Sequence, residues 1–302
     1  MKNQHLLQYI LTGLLLFAIQ LSGQTDYVPI VVSTDAGNSW HPQAEGLPAT
    51  AKVSALVENE KTLWAATDAN GVYQLREGAA QWEATSQGLP KNLDINALAV
   101  RGQGAVVGSF RQGVYYSSDG GQHWRRPIFP IPGISVRALL FLSDNELLAG
   151  TDNGLYHSAD GGANWFEWTK SPQVNDLLLL DNILYLGRAD GLYRSNDQGK
   201  TTTKLLGVTT GEILADDGYL YSLPTGSDIF RAPLGTTNWT TPTTAPNFIT
   251  AVSLPATLYA GLHHAHVSCG TFKAAPGMPE DVGFRLILDT PSGWVAACLQ
   301  RR

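Results

Sequence analysis

The 302-residue sequence predicts an all-β fold, a seven-bladed β-propeller built from four-stranded antiparallel blades. Three observations carry that prediction. A short motif recurs: GVYYSSDGGQHW at 113–124, GLYHSADGGANW at 154–165 and GLYRSNDQGKTT at 191–202, with IVVSTDAGNSW at 30–40. Strand-like segments repeat around it with a period of about 40 residues, four to a unit. Finally, strand pairs that open a unit number seven, whereas the pairs that close one number six from residue 72 onward. The missing closing pair stands at the other end of the chain, in 30–40. N-terminal strands would therefore complete the C-terminal blade, and a closed ring leaves no sheet edge exposed.

The chain opens with a targeting segment. Lys2 gives a weakly positive start, Leu6 to Leu21 is mostly apolar, and Ser22-Gly23 supplies small residues for cleavage. Residues 1–23 therefore read as a secretory signal peptide. The apolar run is short for a spanning helix of about 20 residues, so no membrane insertion is expected after cleavage. The expected location is secreted or periplasmic, with residues 24–302 forming one propeller domain.

Opening strands fall at 53–58, 95–101, 136–142, 174–180, 210–216, 249–254 and 284–289. Each is followed by a second strand, best aligned of all: LWAAT 63–67, AVVGS 105–109, LLAGT 147–151, LYLGR 184–188, LYSLP 220–224, LYAGL 258–262 and WVAAC 294–298. Turns such as Ser143-Asp144-Asn145 and Asp181-Asn182 join them as hairpins. Third strands follow at 72–75, 114–117, 155–158, 192–195, 229–232 and 266–269, and the units end at Trp82, Trp124, Trp165, Thr202, Trp239 and Phe272.

The repeated turn has a physical reading. In Ser-x-Asp-x-Gly the side-chain oxygens can bond nearby backbone N–H groups, and the glycine allows a positive φ. The following Trp buries a large ring against the sheet. Asp35, Asp119, Asp160 and Asp197, with Trp40, Trp124 and Trp165, are therefore expected to be structural. The motif resembles the Asp-box, or BNR repeat, S-x-D-x-G-x-T-W. Asp-boxes occur in sialidases, xyloglucanases, sortilin-type receptors and photosystem assembly factors, so the resemblance implies a fold and leaves the activity open.

Composition narrows the classes. With 20 basic and 26 acidic residues the chain is mildly acidic and shows no basic stripe, so nucleic acid is not an expected partner. Cys269 and Cys298 permit either one disulfide or two buried thiols. His264 and His266 could share an ion, but a zinc site needs three or four ligands, and no metal or cofactor is expected.

A binding site is expected at the channel mouth, where opening strands begin and second strands end. One column there is polar among apolar neighbours: Ser54, Asn96, Arg137, Asn175, Glu212, Thr250 and Arg285. The adjoining loops add Asp68, Phe110, Arg111, Asp152, Arg188, Asp190 and His263. The ligand-binding candidates are Asn96, Arg111, Arg137, Asn175, Arg188, Glu212, His263 and Arg285. Their arginines suit carboxylate or phosphate groups. The alternative is that strand starts at a wet mouth are simply polar.

The family resemblance sharpens two function classes. A sialidase-like hydrolase would carry an arginine in an R-I-P motif before the first Asp-box, and here Val28 precedes Pro29. A xyloglucanase-like enzyme would set two aspartates between two propellers, and this chain builds one. No residue is therefore assigned as catalytic. The expected function is a secreted, non-catalytic propeller that binds a protein or glycan partner, with a sialidase-like or other glycoside hydrolase as the alternative. The oligomeric state is left open.

Overall fold

The computed structural model describes residues 29–34, 39, 41–216, 218–224, 229–241, 265–266, 282–290 and 293–300, the last three stretches as backbone only. No helix occurs among them. The first two strands, β1 (Ile30–Ser33) and β2 (His41–Pro42), pair antiparallel with each other.

Four sheets then follow in chain order. The first holds β3 (Lys52–Asn59), β4 (Thr62–Asp68), β5 (Gly71–Arg76) and β6 (Glu83–Ala84). The second holds β7 (Ile95–Arg101), β8 (Gly104–Ser109) and β9 (Gly113–Ser117), with an isolated bridge from Tyr116 to Arg125 in place of a full fourth strand. The third holds β10 (Val136–Phe141), β11 (Leu147–Thr151), β12 (Gly154–Ser158) and β13 (Phe166–Thr169). The fourth holds β14 (Val174–Leu180), β15 (Ile183–Arg188), β16 (Gly191–Ser195) and β17 (Thr203–Leu206).

A fifth sheet has β18 (Glu212–Asp216), β19 (Tyr219–Leu223) and β20 (Phe230–Pro233), extended by a bridge from Arg231 to Thr240. A sixth combines β21 (Ala265–His266), β22 (Val282–Thr290) and β23 (Gly293–Gln300) with β1 and β2. Ile30 to Ser33 pair antiparallel with Ala297 to Trp294. The N-terminal strand thus sits in a sheet with the last strands of the chain, as the strand count expects. Ala265–His266 pair with Ile287 and Leu286 of β22. This differs from the sequence reading, which puts 266–269 third in a unit of its own. The remainder of that expected unit, 249–272, lies outside the described residues, as does Cys269. Cys298 lies in β23 opposite Phe284.

The opening strands of successive sheets lie side by side, β22 against β3, then β7, β10, β14 and β18. This is a β-propeller. Its core sits between sheets. Trp64, Ala66 and Val72 of the first pack with Leu98, Val107 and Tyr115 of the second. Val106 and Val114 of the second pack with Leu139, Leu147 and Tyr156 of the third. Leu148 and Leu155 of the third pack with Leu177, Leu184 and Leu186 of the fourth. Both faces of a central strand are covered, so β11 reads LLAGT with every residue buried and shows no polar alternation. Close approach has its own residue: a Cβ on Gly108 would stand 2.5 Å from Cγ1 of Val136 in the next sheet.

Candidate functional site: the channel mouth

Five opening strands break register at one equivalent place. The breaks fall between Val53 and Ala55, Ile95 and Ala97, Val136 and Ala138, Val174 and Asp176, and Phe284 and Leu286. The residues skipped are Ser54, Asn96, Arg137, Asn175 and Arg285. A bulged residue has no cross-strand partner and its side chain is re-aimed out of the ladder. The polar column is therefore a column of β-bulges at the mouth. β18 departs from the pattern, since Glu212 pairs directly with Leu223.

The bulged residues do different things. Ser54 is buried. Asn96 Nδ2 donates to Val136 O at 3.4 Å, and Asn175 Nδ2 to Thr210 O at 2.9 Å. Each amide thus ties its bulge to the chain entering the next sheet, and Asn175 Oδ1 also accepts from Gln173 Nε2. Arg137 reaches outward instead, its Nε donating to Asp152 Oδ1 at 2.6 Å with the side chain about one-third exposed (35%). Arg285 is placed by backbone alone, and His263 lies outside the described residues. Glu212 is half-buried and engaged.

The loops behind these strands supply the other arginines. At or next to the ends of the second strands stand Thr67, Ser109 and Thr151, whose hydroxyls donate to the carbonyls of Gly71, Gly113 and Gly154. Arg188 takes that place in the fourth sheet and is 9% exposed. Its Nε lies 3.2 Å from Asp190 Oδ1, its guanidinium lies 4.0 Å above the Tyr193 ring, and Tyr193 Oη donates to Asp190 Oδ2 at 2.8 Å. Arg111 is different again. It is exposed, sits at φ 61°, donates its backbone N–H to Ser135 Oγ at 3.3 Å, and lays its guanidinium over Phe110 at 4.9 Å. Arg111 has no ion-pair partner among the described residues, whereas Arg137 and Arg188 each hold a carboxylate.

Sequence reasoning missed Asp176. It follows the bulge on β14, where sister strands carry Ala55, Ala97 and Ala138. Its Oδ1 accepts from Leu177 N and its Oδ2 from Ile213 N of the next sheet, both at 2.8 Å. Burial pushes its carboxyl up to about 7, against the pull of the Ile213 and Leu177 N–H groups. A lone carboxylate in a column otherwise held by Ala55, Ala97, Ala138 and Leu286 was the available signal.

The repeated Ser-x-Asp-x-Gly turns lie at the opposite end, where first and second strands are joined. Asp119 Oδ1 accepts from Ser117 Oγ and His123 N, and Asp119 Oδ2 meets His123 Nδ1 at 2.7 Å. Asp160 accepts from Ser158, Asn164 N and Asn164 Nδ2; Asp197 accepts from Ser195, Thr201 N and Thr201 Oγ1. The Thr201 N–H, the Ser195 hydroxyl and the Thr201 hydroxyl hold the Asp197 carboxyl down at about 2. The His123 N–H, the Ser117 hydroxyl and the His123 ring hold Asp119 lower still. Trp124 Nε1 donates to Thr85 O of the first sheet, while Trp165 Nε1 donates to Gly162 O of its own turn. Asp35 and Trp40 lie outside the described residues.

No protein-family model matches the chain, and no curated protein matches it. Solved structures do. YCF48 bound to D1 peptide superposes with a TM-score of 0.50 at 17% identity, over 62% of this chain and 68% of that one. The GH74 enzyme of Niastella koreensis gives 0.55 at 18% identity, over 69% of this chain and 41% of that one. The GH74 xyloglucanase of Xanthomonas campestris gives 0.51 at 19%, over 64% and 38%. The chain thus matches less than half the length of either GH74 enzyme. These likenesses show the propeller fold.

Proposed function

We propose that this chain is a secreted, non-catalytic propeller that binds an anionic protein or glycan partner at the channel mouth. In this reading residues 1–23 are a signal peptide, and residues 24–302 form seven blades closed into a ring through β1 and β23. The repeated turns are Asp-boxes with a structural role. Six sheets among the described residues, the β1–β23 pairing and the contact of β22 with β3 support the closed ring.

One observation carries the binding assignment. At the junction of the second and third sheets, Arg111 is exposed with no ion-pair partner among the described residues, and its N–H bonds Ser135 Oγ, two residues before the one-third-exposed Arg137. The mouth carboxylates Asp152 and Asp190 are held by Arg137 and Arg188. Arg111 thus presents an exposed cation with no ion-pair partner among the described residues, although the chain as a whole is at −6, and such a cation attracts carboxylates. A propeller of the same fold has been solved with a peptide bound, which agrees with a partner-binding role.

A hydrolase would want two carboxylates facing each other about 5–10 Å apart. Asp152 and Asp190 are held by arginines, and Asp176, whose carboxyl is pushed up to about 7, accepts two backbone N–H groups. These engagements favour binding over turnover. The test is a thermal-shift screen of the full chain against acidic oligosaccharides and acidic peptides, since a ligand of the folded state raises Tm by mass action. A shift lost in Arg137→Ala supports the assignment. Shifts produced only by neutral ligands, or unchanged in Arg137→Ala, would remove it.

A further inference from the structure

The second sheet has an unfilled edge. Counted from Trp82 and Trp124, which open the fourth strands, Thr85 and Ser86 of the first sheet correspond to Pro127 and Ile128 of the second. In the first sheet Thr85 N donates to Val72 O at 2.8 Å. Ser86 Oγ accepts from Val72 N at 2.8 Å and donates to Val72 O at 3.0 Å. The backbone edge of Val72 is thereby closed. Val114 is the equivalent residue of β9. Pro127 has no N–H to give it, and Ile128 has no hydroxyl.

The same edge is paired one step away. Tyr116 and Arg125 exchange N–H···O bonds at 3.0 and 2.8 Å. Val114 lies two residues from Tyr116, so its N–H and C=O face the same edge. The chain leaves the sheet before reaching it. In the third and fourth sheets the equivalent residues, Leu155 and Leu192, are paired with Thr169 and Leu206. Val114 has no such strand partner among the described residues.

A cavity of about 220 Å³ occupies the place of the missing strand, between Gln112–Val114 and the crossover 126–133. Its walls are mixed, with Phe129, Ile131 and two prolines beside Gln112, Arg126 and strand backbone. Phe129 is anchored against Tyr156 and Trp165 at ring separations of 4.9 and 5.7 Å, and Ile131 packs on the same core. Ile128 is held by its backbone bridge to Asn164, yet the residue is 79% exposed. Exposed Arg126 lines the cavity, and exposed Arg111 adjoins it through Gln112; neither has an ion-pair partner among the described residues.

We propose that this slot captures an extended acidic–apolar peptide segment of another protein by strand addition to β9. The peptide backbone bonds Val114, an aliphatic side chain enters the cavity, and flanking carboxylates meet Arg111 and Arg126. The inference rests on the partner-binding reading above and narrows it to one surface.

The probe is a fluorescent peptide, acetyl-Glu-Leu-Asp-Ile-Glu-amide, titrated against the full chain by anisotropy. Two control peptides accompany it, one with lysine for each acid and one N-methylated along the backbone. The expected result is saturable binding by the acidic peptide and at least tenfold weaker binding by both controls. The double variant Pro127→Thr/Ile128→Ser should weaken it at least tenfold as well, by installing the closure seen in the first sheet, without lowering Tm. Arg126→Glu gives a second reading at an exposed position should the double variant fold poorly. Absence of saturable binding overturns the slot, as does equal affinity for the N-methylated peptide or the double variant. Displacement of the peptide by an acidic oligosaccharide overturns the choice of a peptide. A ligand that needs Arg137 but ignores Pro127→Thr/Ile128→Ser overturns the slot and leaves the broader binding reading standing.

Discussion

Asp176 Oδ2 accepts the backbone N–H of Ile213 at 2.8 Å, joining the opening strand of one sheet to the opening strand of the next. The carboxyl is pushed up to about 7 by burial, so the fold favours its protonated form. Below the unfolded value of about 4 both states are protonated and nothing is lost. As pH rises from about 4 towards 7 the unfolded state ionises first, and stability falls; above 7 the loss is constant. Denaturation of wild type and Asp176→Asn across pH 4–8 should show the wild type losing stability relative to the variant as pH rises. A difference that is flat with pH would contradict this.

The acid limb has the opposite sign. The Asp197 carboxyl is held down at about 2, so its stabilisation is full above about 4 and lost as pH falls through 2. Asp197→Ala should lower Tm at pH 7, and the gap to wild type should close near pH 2.

The bulged asparagine is predicted to act as a staple. Asn175→Ala removes the bond to Thr210 O and should cost about 1 kcal/mol in urea denaturation. It should leave ligand-induced thermal shifts unchanged. Arg111→Ala should do the reverse, leaving stability within about 0.5 kcal/mol of wild type and abolishing the shift.

Close packing between sheets gives a fourth prediction. A Cβ at Gly108 would press on Val136, so Gly108→Ala should destabilise by about 1–3 kcal/mol, the usual cost of overpacking. Trp82 is 2% exposed with its Nε1 bonded to Gln43 O, and Trp82→Ala should cost about 3–5 kcal/mol.

Much of this was legible in the sequence, for physical reasons. The second strands align as LWAAT, AVVGS, LLAGT and LYLGR because every residue in them is packed between sheets, so the apolar run survives from unit to unit. The turns align because Ser, Asp and Gly at fixed spacing satisfy the same backbone groups each time. The polar column was visible, but not that Ser54, Asn96, Arg137 and Asn175 sit on bulges, because a bulge is a break in register between two strands and leaves no mark on either alone. Sequence treats Asn96, Arg137 and Asn175 as equivalent ligands. In the fold both asparagines are spent on neighbouring carbonyls and Arg137 alone reaches outward. Pro127 and Ile128 read as ordinary loop residues until Thr85 and Ser86 show which bonds their positions can make.

The central claim is that the corner of Arg111 and Arg137 binds an anionic partner without cleaving it. The most direct measurement probes an array of acidic and neutral glycans and peptides with wild type, Arg111→Ala and the distant control Arg76→Ala, followed by mass analysis of the recovered ligand. The account predicts binding to anionic ligands that is lost in Arg111→Ala, kept in Arg76→Ala, and leaves the ligand intact. Binding indifferent to Arg111→Ala, or recovery of a cleaved ligand, would contradict it.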